Sequence, residues 1–396
     1  MIYLHEPLTN KIEKKYVLDC LKTNHLAFGK YIGLFENKIK NILKVKHAVA
    51  CVNGTSALQI SIQLLNLQPK EEILVPTITF ISPVNAIKYN NLSPVFLDSD
   101  ESLNVDEEKI IDYIKNYTYK KYNKKKKITV CINKKTNKRI GGMLIVHTFG
   151  NPARFEKLYK LCKKMNISII EDSAESLGAY YKKGFFKNRY TGSIGDLGCI
   201  SFNGNKIITS IGGGIITTNK KSYAKKARYL INQAKKNSLN FVHDDIGYNF
   251  RISNIHAAVG YAQSLKLKHF IKKKKIIHNY YKKVFSKSKN IKLISPPEDI
   301  SSNYWLNLIY IDFKKIKISK KKFIEMINQK NIQIRPIWKP NHLQKPYINF
   351  QRHKIIKAPK IINNYICLPS GVNLKYNQVK LISKEIMKII DKKKNN

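Results

Sequence analysis

The chain has few acidic residues for its size: 26 Asp and Glu stand against 73 Lys and Arg, so that its formal net charge is +47. It also lacks any apolar run approaching the ~20 residues of a membrane-spanning helix. The first fifteen residues, MIYLHEPLTNKIEKK, lack the apolar core of a signal peptide. These absences lead us to expect a cytoplasmic protein without a membrane partner.

Paired cysteine motifs are absent as well. The six cysteines are scattered, without a CxxC pair or a Cys/His cluster at metal-ligand spacing. We therefore expect no metal site and reduced thiols packed as small hydrophobic residues. The sequence also lacks an internal repeat and an extended Gly/Ser or Pro linker.

The excess of positive charge would fit a polyanionic partner such as nucleic acid. However, the basic residues are mostly lysines spread along the whole chain, and no grouping of arginine forks or stacked aromatic residues forms a recognised nucleic-acid motif. We treat the lysines as a solvated surface and expect no nucleic-acid partner. A non-catalytic, basic nucleic-acid-binding protein remains the alternative.

Short apolar runs predict buried strands at 48–52, 72–75, 94–97, 128–131, 143–147, 167–170, 199–202 and 214–217. Segments with helical spacing lie between most of them, for example around Leu58, Ile62 and Leu65. Strands alternating with helices indicate an α/β fold whose mostly parallel sheet is covered on both faces. Ligands of such sheets bind beyond the carboxyl ends of the strands.

The pattern changes at about residue 265, where a Lys-rich helical stretch begins. We predict a large domain over 1–265, including the N-terminal segment, and a smaller C-terminal α+β domain over 266–396. The basic runs 115–127 and 133–139 predict a hairpin on the surface, where a high charge density costs little.

Polar groups follow several of these strands. Asn53–Ser56 opens a helix, where free N–H groups and two hydroxyls favour an anion such as phosphate. An ordinary helix cap is the alternative. Phe80 follows the next strand, where it could stack on a planar cofactor or pack in the core.

A carboxylate and a lysine follow two later strands. Asp172 ends a buried run, and a buried carboxylate requires a cationic partner, for which a protonated pyridine nitrogen is suitable. Lys206 lies between the next strand and the glycines 212–214, where a lysine with a lowered pKa could form a Schiff base. In so lysine-rich a chain its position alone does not single it out.

Together these motifs resemble the DegT/DnrJ/EryC1/StrS family of sugar aminotransferases. The resemblance runs from about residue 5 to residue 375 and rests on VNGTSALQI, PTITFISPVNAI, HTFGNP, EDSAESLG, SFNGNKIITSIGGG and GYNFRISNIHAAVGYAQ. It implies a fold-type I transferase with a seven-stranded sheet in the large domain, pyridoxal 5'-phosphate as cofactor, and a homodimer with a shared active site. The segment RPIWKPNH (335–342) resembles the LegC-like branch, which aminates UDP-linked 4-keto-6-deoxy-N-acetylglucosamine on the way to legionaminic acid or bacillosamine-type sugars.

The resemblance also implies roles for individual residues. Lys206 matches the catalytic lysine that holds the cofactor, and Asp172 matches the partner of the pyridine nitrogen. The other residues matching cofactor-binding positions are Thr55, Ser56 and Ser201 at the phosphate, Phe80 and Ala174 on the two ring faces, and Glu175, Asn203 and Asn249. Of these, Glu175 stands where many relatives carry His or Gln, and Asn249 matches a residue that reaches the partner subunit's cofactor. Ile211 departs from the small residues usual in the glycine run.

The resemblance implies that glutamate supplies the amino group and that a nucleotide-linked keto-sugar accepts it. Perosamine-type and 3-keto sugar aminotransferases are the alternatives within the family. Some relatives dehydrate sugars instead and typically carry histidine in place of the lysine, so Lys206 argues against that activity. Candidate substrate contacts are Lys30, His147, Arg335, Trp338 and His342, for which a structural role is the alternative at His147, Trp338 and His342.

Overall fold

The computed structural model describes residues 1–124, 127–237 and 240–391. The strands are β1 (His47–Cys51), β2 (Glu72–Pro76), β3 (Ser93–Leu97), β4 (Thr118–Asn123), β5 (Ile128–Asn133), β6 (Arg139–Val146), β7 (Ser168–Asp172), β8 (Tyr180–Tyr181), β9 (Leu197–Ser201), β10 (Gly214–Thr218), β11 (Lys235–Asn237), β12 (Val242–His243), β13 (Ile291–Leu293), β14 (Ile300–Ser301), β15 (Asn307–Ile311), β16 (Arg335–Pro336) and β17 (Tyr365–Leu368). The helices are α1 (Lys11–Lys22), α2 (Lys30–Leu43), α3 (Gly54–Gln63), α4 (Ile81–Tyr89), α5 (Glu107–Asn116), α6 (Glu156–Met165), α7 (Lys221–Leu230), α8 (Asn254–Leu265), α9 (Leu267–Phe285), α10 (Lys320–Asn328), α11 (Lys357–Ile361) and α12 (Tyr376–Asp391). Three short 3-10 helices span Thr148–Gly150, Asn341–Leu343 and Lys345–Tyr347.

The largest sheet has seven strands in the order β1-β10-β9-β7-β6-β2-β3 and two more, β4 and β5, attached beside β6. Strands β9, β7, β6, β2 and β3 are parallel, whereas β10 is antiparallel to both of its neighbours. All eight predicted apolar runs overlap strands of this sheet, and the predicted fold class is confirmed. One detail was wrong: Leu65 lies beyond the end of α3, because that helix stops at Gln63.

Alternation along the strands explains how both faces of the sheet are covered. Ile73 and Val75 of β2 pack into the core under α3 and α4, whereas Leu74 between them packs into the core under α5 and α6. Successive side chains of a strand point to opposite faces, so a continuous apolar run is what a strand buried on both faces requires.

The predicted surface hairpin is formed by β4 and β5, which pair in antiparallel register from Thr118↔Asn133 to Asn123↔Ile128. The side chains from Tyr119 to Tyr122 in β4 are exposed, whereas Val130 to Asn133 in β5 are buried. The hairpin therefore presents one basic strand to solvent and uses the other to extend the large sheet.

The C-terminal part contains an antiparallel sheet in the order β13-β15-β17-β16. Its core includes side chains from α9, α10 and α12. Helix α9 contributes to two cores: Leu267 and Phe270 pack with α2 and α8, whereas Ile277 and Tyr281 pack with the C-terminal sheet. Helix α9 begins just after residue 265 and packs into both cores. The predicted boundary between the two domains at residue 265 therefore stays a prediction.

All six cysteines are buried and free, as predicted. Among the described residues, no helix is long and apolar enough to cross a bilayer.

Candidate active site

A cavity of about 330 Å³ lies where several strands of the large sheet end, and we call it the inner cavity. The predicted site residues that line it are Thr55, Phe80, Asp172, Ala174, Glu175, Ser201, Asn203, Lys206 and Trp338. These residues are up to 283 positions apart in sequence, from Thr55 to Trp338. Parallel strands bring their carboxyl ends to one edge of the sheet, which is why the segments after β1, β2, β7 and β9 meet there.

One end of the inner cavity is formed by the start of α3. Asn53 caps this helix, its side-chain oxygen accepting a hydrogen bond from the Ser56 N–H at 2.8 Å. The Thr55 hydroxyl donates to the Ser82 hydroxyl at 3.0 Å. Gly54 allows Ser201 to come close, since a Cβ at Gly54 would lie 2.8 Å from the Ser201 Cβ.

The helix cap raised as the alternative is present, whereas phosphate binding at this helix start stays a prediction. Hydroxyls converge on a helix N-terminus, whose dipole and remaining N–H groups favour a negative charge. Ser56 is buried and does not line the inner cavity, although its N–H takes part in the cap.

The segment after β7 divides its carboxylates between two tasks. Glu171 is fully buried and accepts hydrogen bonds from the N–H groups of Gly192, Ile194 and Gly195, which fixes the loop before β9. Asp172 lines the inner cavity, and one of its oxygens accepts the Ala174 N–H at 3.0 Å. Alternation along β7 therefore makes Glu171 structural and leaves Asp172 available to a ligand.

Lys206 enters the inner cavity between a carboxylate and an indole ring. Its Nζ lies 3.5 Å from the Glu175 Oε1 and 4.3 Å from the centroid of the Trp305 ring. The Lys206 backbone N–H closes a turn onto the Asn203 carbonyl at 2.9 Å. This turn, directly after β9, aims the side chain at the same space as Asp172.

Glu175 is held from its other side by the backbone. Its Oε2 accepts the Phe149 N–H at 2.8 Å. Phe149 adopts φ +53°, a left-handed conformation that costs a bulky residue free energy. A second left-handed residue lies in the loop after Lys206, where Ile211 has φ +68°.

Burial raises the pKa of both carboxylates that face Lys206. For Asp172 the burial effect is opposed by the Ala174 N–H and by the charge of Lys206. For Glu175 burial raises the pKa to about 7, against the opposing charge of Lys206 and the Phe149 N–H. A cation placed beside Asp172 would stabilise its ionised form.

Six predicted site residues do not line the inner cavity, namely Ser56, His147, His342, Asn249, Lys30 and Arg335. His147 is fully buried; its Nε2 lies 2.9 Å from Glu171, and its Nδ1 accepts the Ala153 N–H at 3.0 Å. His342 is buried, with its Nδ1 2.5 Å from the Thr77 hydroxyl. Both agree with the structural alternative. Asn249 is exposed and does not line this cavity or the adjoining cavity that contains Arg335.

Lys30 is also remote from the inner cavity within one subunit. Its Nζ pairs with Asp19 at 2.8 Å, and the lysine side chain is 63% exposed. Arg335 lines an adjoining cavity of about 570 Å³, which we call the outer cavity. The residues around the outer cavity are Leu4, His5, Phe149, Asn205, Trp305, Leu306, Gln333, Arg335, Pro336, Ile337, Trp338 and Cys367.

Sequence reasoning missed Trp305 and His5. Trp305 is buried, and its ring N–H donates to the Asn205 carbonyl at 2.7 Å, beside Lys206. Neither residue follows a strand of the large sheet. The expectation that ligands bind beyond the strand ends, which located Asp172, therefore does not identify them. The tryptophan itself was a usable signal, since the chain has only two and both line the inner cavity.

The inner cavity fits pyridoxal 5'-phosphate on the chemistry of its groups. A helix N-terminus with hydroxyls suits the phosphate, and the buried Asp172 carboxylate suits a protonated ring nitrogen. Lys206 places a primary amine in the same cavity, as covalent attachment of this cofactor requires. Among the described residues no cluster of His, Cys, Asp and Glu could hold a metal ion.

Comparison with known proteins agrees with this geometry. The chain is 32% identical to GDP-perosamine synthase of Escherichia coli O157:H7 over 97% of each chain. It is 30% identical to the putative pyridoxal phosphate-dependent aminotransferase EpsN of Bacillus subtilis (strain 168), over 94% of this chain and 92% of that protein. Among solved structures, Helicobacter pylori PseC, an aminotransferase involved in the biosynthesis of pseudoaminic acid, is similar with a TM-score of 0.87, 25% identity and 99% of each chain covered.

The family model that matches the chain spans residues 7–387, almost its whole length, and is described as the DegT/DnrJ/EryC1/StrS aminotransferase family. The predicted enzyme class and cofactor are thereby confirmed: the protein is a sugar aminotransferase that depends on pyridoxal 5'-phosphate. The chain belongs to the DegT/DnrJ/EryC1/StrS aminotransferase family.

Proposed function

We propose that this enzyme transfers an amino group from glutamate to the ketone of a UDP-linked 4-keto-6-deoxy-N-acetylglucosamine, in the synthesis of legionaminic acid or another surface sugar. The observation that carries the aminotransferase chemistry is the position of Lys206, which shares the inner cavity with Asp172 and the start of α3. The segment RPIWKPNH supports a UDP-linked 4-keto sugar as the acceptor, and so does the similarity to the UDP-4-amino-4,6-dideoxy-N-acetyl-beta-L-altrosamine transaminase of Helicobacter pylori, which is 26% identical.

The proposed cofactor contacts follow from the two ends of the inner cavity. Thr55, Ser201 and the N-terminus of α3, which includes Ser56, bind the phosphate, and Asp172 keeps the ring nitrogen protonated. Phe80 and Ala174 flank the ring, while Asn203 and Glu175 complete its surroundings. When bound, the cofactor supplies an electron sink, and the protein contributes position and charge.

Lys206 has two tasks in this proposal. It would hold the cofactor covalently through Nζ, and once the amino donor had released it, the free amine would serve as the general base and acid that moves a proton of the substrate. Glu175 at 3.5 Å and the Trp305 ring at 4.3 Å keep Nζ close to its working position. Trp305, which is buried, also helps to keep water away from this amine.

Replacing Lys206 tests the covalent step. Lys206→Ala should abolish both the visible absorbance band of the attached cofactor and amino transfer to any sugar. Lys187→Ala, which changes an exposed lysine, is the control and should retain both. A normal band in Lys206→Ala would contradict the assignment of the covalent lysine.

A GDP-linked 4-keto-6-deoxy sugar is the second candidate acceptor, because GDP-perosamine synthase is 32% identical to this chain. The candidates can be separated by incubating the enzyme with glutamate and UDP-, GDP- or dTDP-linked 3-keto and 4-keto sugars. Mass spectrometry then identifies which sugar has been aminated. Preferential amination of the UDP-linked 4-keto sugar is the expected result. If only 3-keto sugars react, the proposed acceptor is wrong.

We also propose a homodimer in which Asn249 of one subunit contacts the cofactor phosphate of the other. Asn249 is exposed and outside its own inner cavity, as such a role requires. Mixing Lys206→Ala with Asn249→Ala subunits should restore about a quarter of the unmodified activity, because each hybrid dimer holds one intact site. If Asn249 served its own subunit, mixing would restore nothing.

A further inference from the structure

The outer cavity adjoins the inner cavity, which Lys206 lines. The two cavities share Asn205, Trp305 and Trp338 as lining residues. Their volumes are about 330 Å³ and about 570 Å³. The outer cavity therefore lies next to the space in which a substrate would react at Lys206.

The chain fixes one wall of the outer cavity by pinning its N-terminal segment to the C-terminal part. Ile2 exchanges backbone hydrogen bonds with Asn331 and Gln333, at 2.7 and 2.8 Å. The Leu4 N–H donates to the Gln333 side-chain oxygen at 2.9 Å, and the Leu4 carbonyl accepts the Ser370 N–H at 2.8 Å. These contacts place the next residue, His5, in the wall of the cavity.

The lining of the outer cavity has hydrogen-bond donors but no carboxylate. Arg335 is exposed and has no ion pair among the described residues. Because the Leu4 N–H occupies the Gln333 side-chain oxygen, the amide nitrogen of Gln333 is left to donate. A surface with a guanidinium, amide donors and no acidic residue attracts an oxyanion.

His5 adds an unsatisfied group to this wall. Both of its ring nitrogens are shielded from solvent, and neither has a hydrogen-bond partner within the described part of the chain. A buried polar atom without a partner costs about 1–3 kcal/mol, which a ligand that accepts its N–H would recover. The wall is therefore incomplete in the absence of a ligand.

The charges around His5 have the same sign. Burial lowers the pKa of His5 well below its usual value, and the charges of Lys274 and Lys206 lower it further. Lys274 is itself buried and donates to the carbonyl oxygens of Trp305 and Ser370, at 2.9 and 2.6 Å, rather than to a carboxylate. Burial is the main reason that His5 stays neutral, and burial also lowers the pKa of Lys274 to about 7, so that Lys274 is partly charged near neutral pH. That positive charge favours an anion in the adjoining space.

We propose that the outer cavity binds an oxyanion group of a substrate, with Arg335 as its principal partner and Gln333 and His5 as additional donors. This inference rests on the proposed function, because it assumes a substrate whose reacting end meets Lys206. Two substrates of the reaction carry such a group: the amino donor has carboxylates, and the nucleotide-linked sugar has a diphosphate. Both are oxyanions that a guanidinium binds through paired N–H groups.

Calorimetric titration of the cofactor-loaded enzyme with non-reacting anions tests the proposal without relying on turnover. Glutarate stands for the amino donor, and UDP and GDP stand for the nucleotide. Arg335→Gln should raise the Kd of the anion that uses the outer cavity about tenfold or more. His5→Asn should raise the same Kd by several-fold, with a smaller effect since the ring supplies a single neutral donor.

Lys339→Gln is the matched control, because it removes one positive charge from an exposed residue of the same segment that does not line the outer cavity. It should leave every Kd within about twofold of that of the unmodified enzyme. An effect of Arg335→Gln on glutarate alone identifies the amino donor, and an effect on the nucleotides alone identifies the sugar substrate; either supports the proposal.

The proposal is wrong if Arg335→Gln and His5→Asn bind all three anions as the unmodified enzyme does, or if the unmodified enzyme binds none of them. The visible band of the cofactor, recorded on the same samples, reports separately on the proposed function. If both variants showed the normal cofactor band and bound the anions like the unmodified enzyme, the proposed oxyanion site would be wrong, while the aminotransferase assignment would stand.

Discussion

The two walls around Lys206 have different origins. One wall comes from the carboxyl ends of strands in the large sheet and carries Asp172, Glu175 and Ser201. The other comes from the C-terminal part and the N-terminal segment and carries Trp305, Trp338 and His5. The first wall is rich in charged and hydroxyl groups, whereas the second is mainly aromatic.

This difference separates two ways of building a site. Residues at strand ends are located by the sheet itself, so a short apolar run followed by a polar residue is enough to place them. Residues of the second wall are located by long-range contacts, such as those between Leu4 and Ser370. We therefore expect changes in the first wall to affect cofactor chemistry most, and changes in the second wall to affect substrate binding and stability.

Asp172→Asn should have the largest effect. The substitution keeps the size of the side chain but removes the negative charge proposed to hold a proton on the ring nitrogen. We expect kcat to fall by about 10²–10³-fold, which is the usual loss when a preorganised electrostatic partner is removed. Steady-state kinetics and the cofactor's visible spectrum measure the effect.

Asp312→Asn, at a partly exposed carboxylate that lines neither cavity, is the control and should behave as the unmodified enzyme. If Asp172→Asn kept more than about a tenth of the activity, the first wall would not dominate the cofactor chemistry as we expect.

The first wall could be predicted from the sequence, and so could most of the fold. All eight apolar runs became strands of the large sheet, because runs buried on both faces need no alternation to be recognised. The surface hairpin of β4 and β5 was likewise visible in its charge pattern. The roles of Thr55, Phe80 and Asp172 remain predictions, although the structure places all three side chains in one cavity.

The second wall could not be predicted, for a physical reason. His5 is preceded by residues whose hydrogen bonds go to Asn331, Gln333 and Ser370, more than 320 positions away, and nothing in the local sequence encodes that pairing. At His147 and His342 the observed contacts favour the structural alternative, through both ring nitrogens of His147 and through Nδ1 of His342. Both histidines lie near active-site motifs, yet their ring nitrogens contact protein groups.

Glu175→Gln should have an intermediate effect that appears as a change in pH dependence. The pKa of Glu175 is raised from 4.5 to about 7, so the folded protein holds a proton that the unfolded chain releases. This stabilisation is complete below the unfolded pKa and is lost as the pH rises through about 7. The loss is at most about 3 kcal/mol, since one pKa unit corresponds to about 1.4 kcal/mol.

Urea unfolding of the cofactor-free protein between about pH 5 and about pH 8 measures this dependence. Glu175→Gln should flatten it, because glutamine does not titrate and can still accept the Phe149 N–H. Glu298→Gln, an exposed carboxylate, should leave the dependence unchanged. Equal slopes in Glu175→Gln and the unmodified protein would show that other groups, such as the buried Asp172, account for it.

Trp305→Phe should have the smallest effect of the three and tests the second wall directly. Phenylalanine keeps an apolar ring beside Lys206 but removes the ring N–H that donates to the Asn205 carbonyl at 2.7 Å. It also weakens the attraction between the lysine and the ring face. We expect kcat/KM to fall about tenfold and the free energy of unfolding to fall by about 1–2 kcal/mol.

Trp338→Phe provides the matched comparison, because Trp338 is the other tryptophan of the chain and also lines both cavities, whereas the ring that lies under the Lys206 amine is that of Trp305. Its ring stacks on Phe149 at 4.6 Å, an arrangement that phenylalanine can reproduce. The cofactor spectrum should therefore change in Trp305→Phe and stay the same in Trp338→Phe. If both variants left the spectrum and kcat unchanged, the second wall would contribute packing alone, and the chemistry at Lys206 would depend on the first wall.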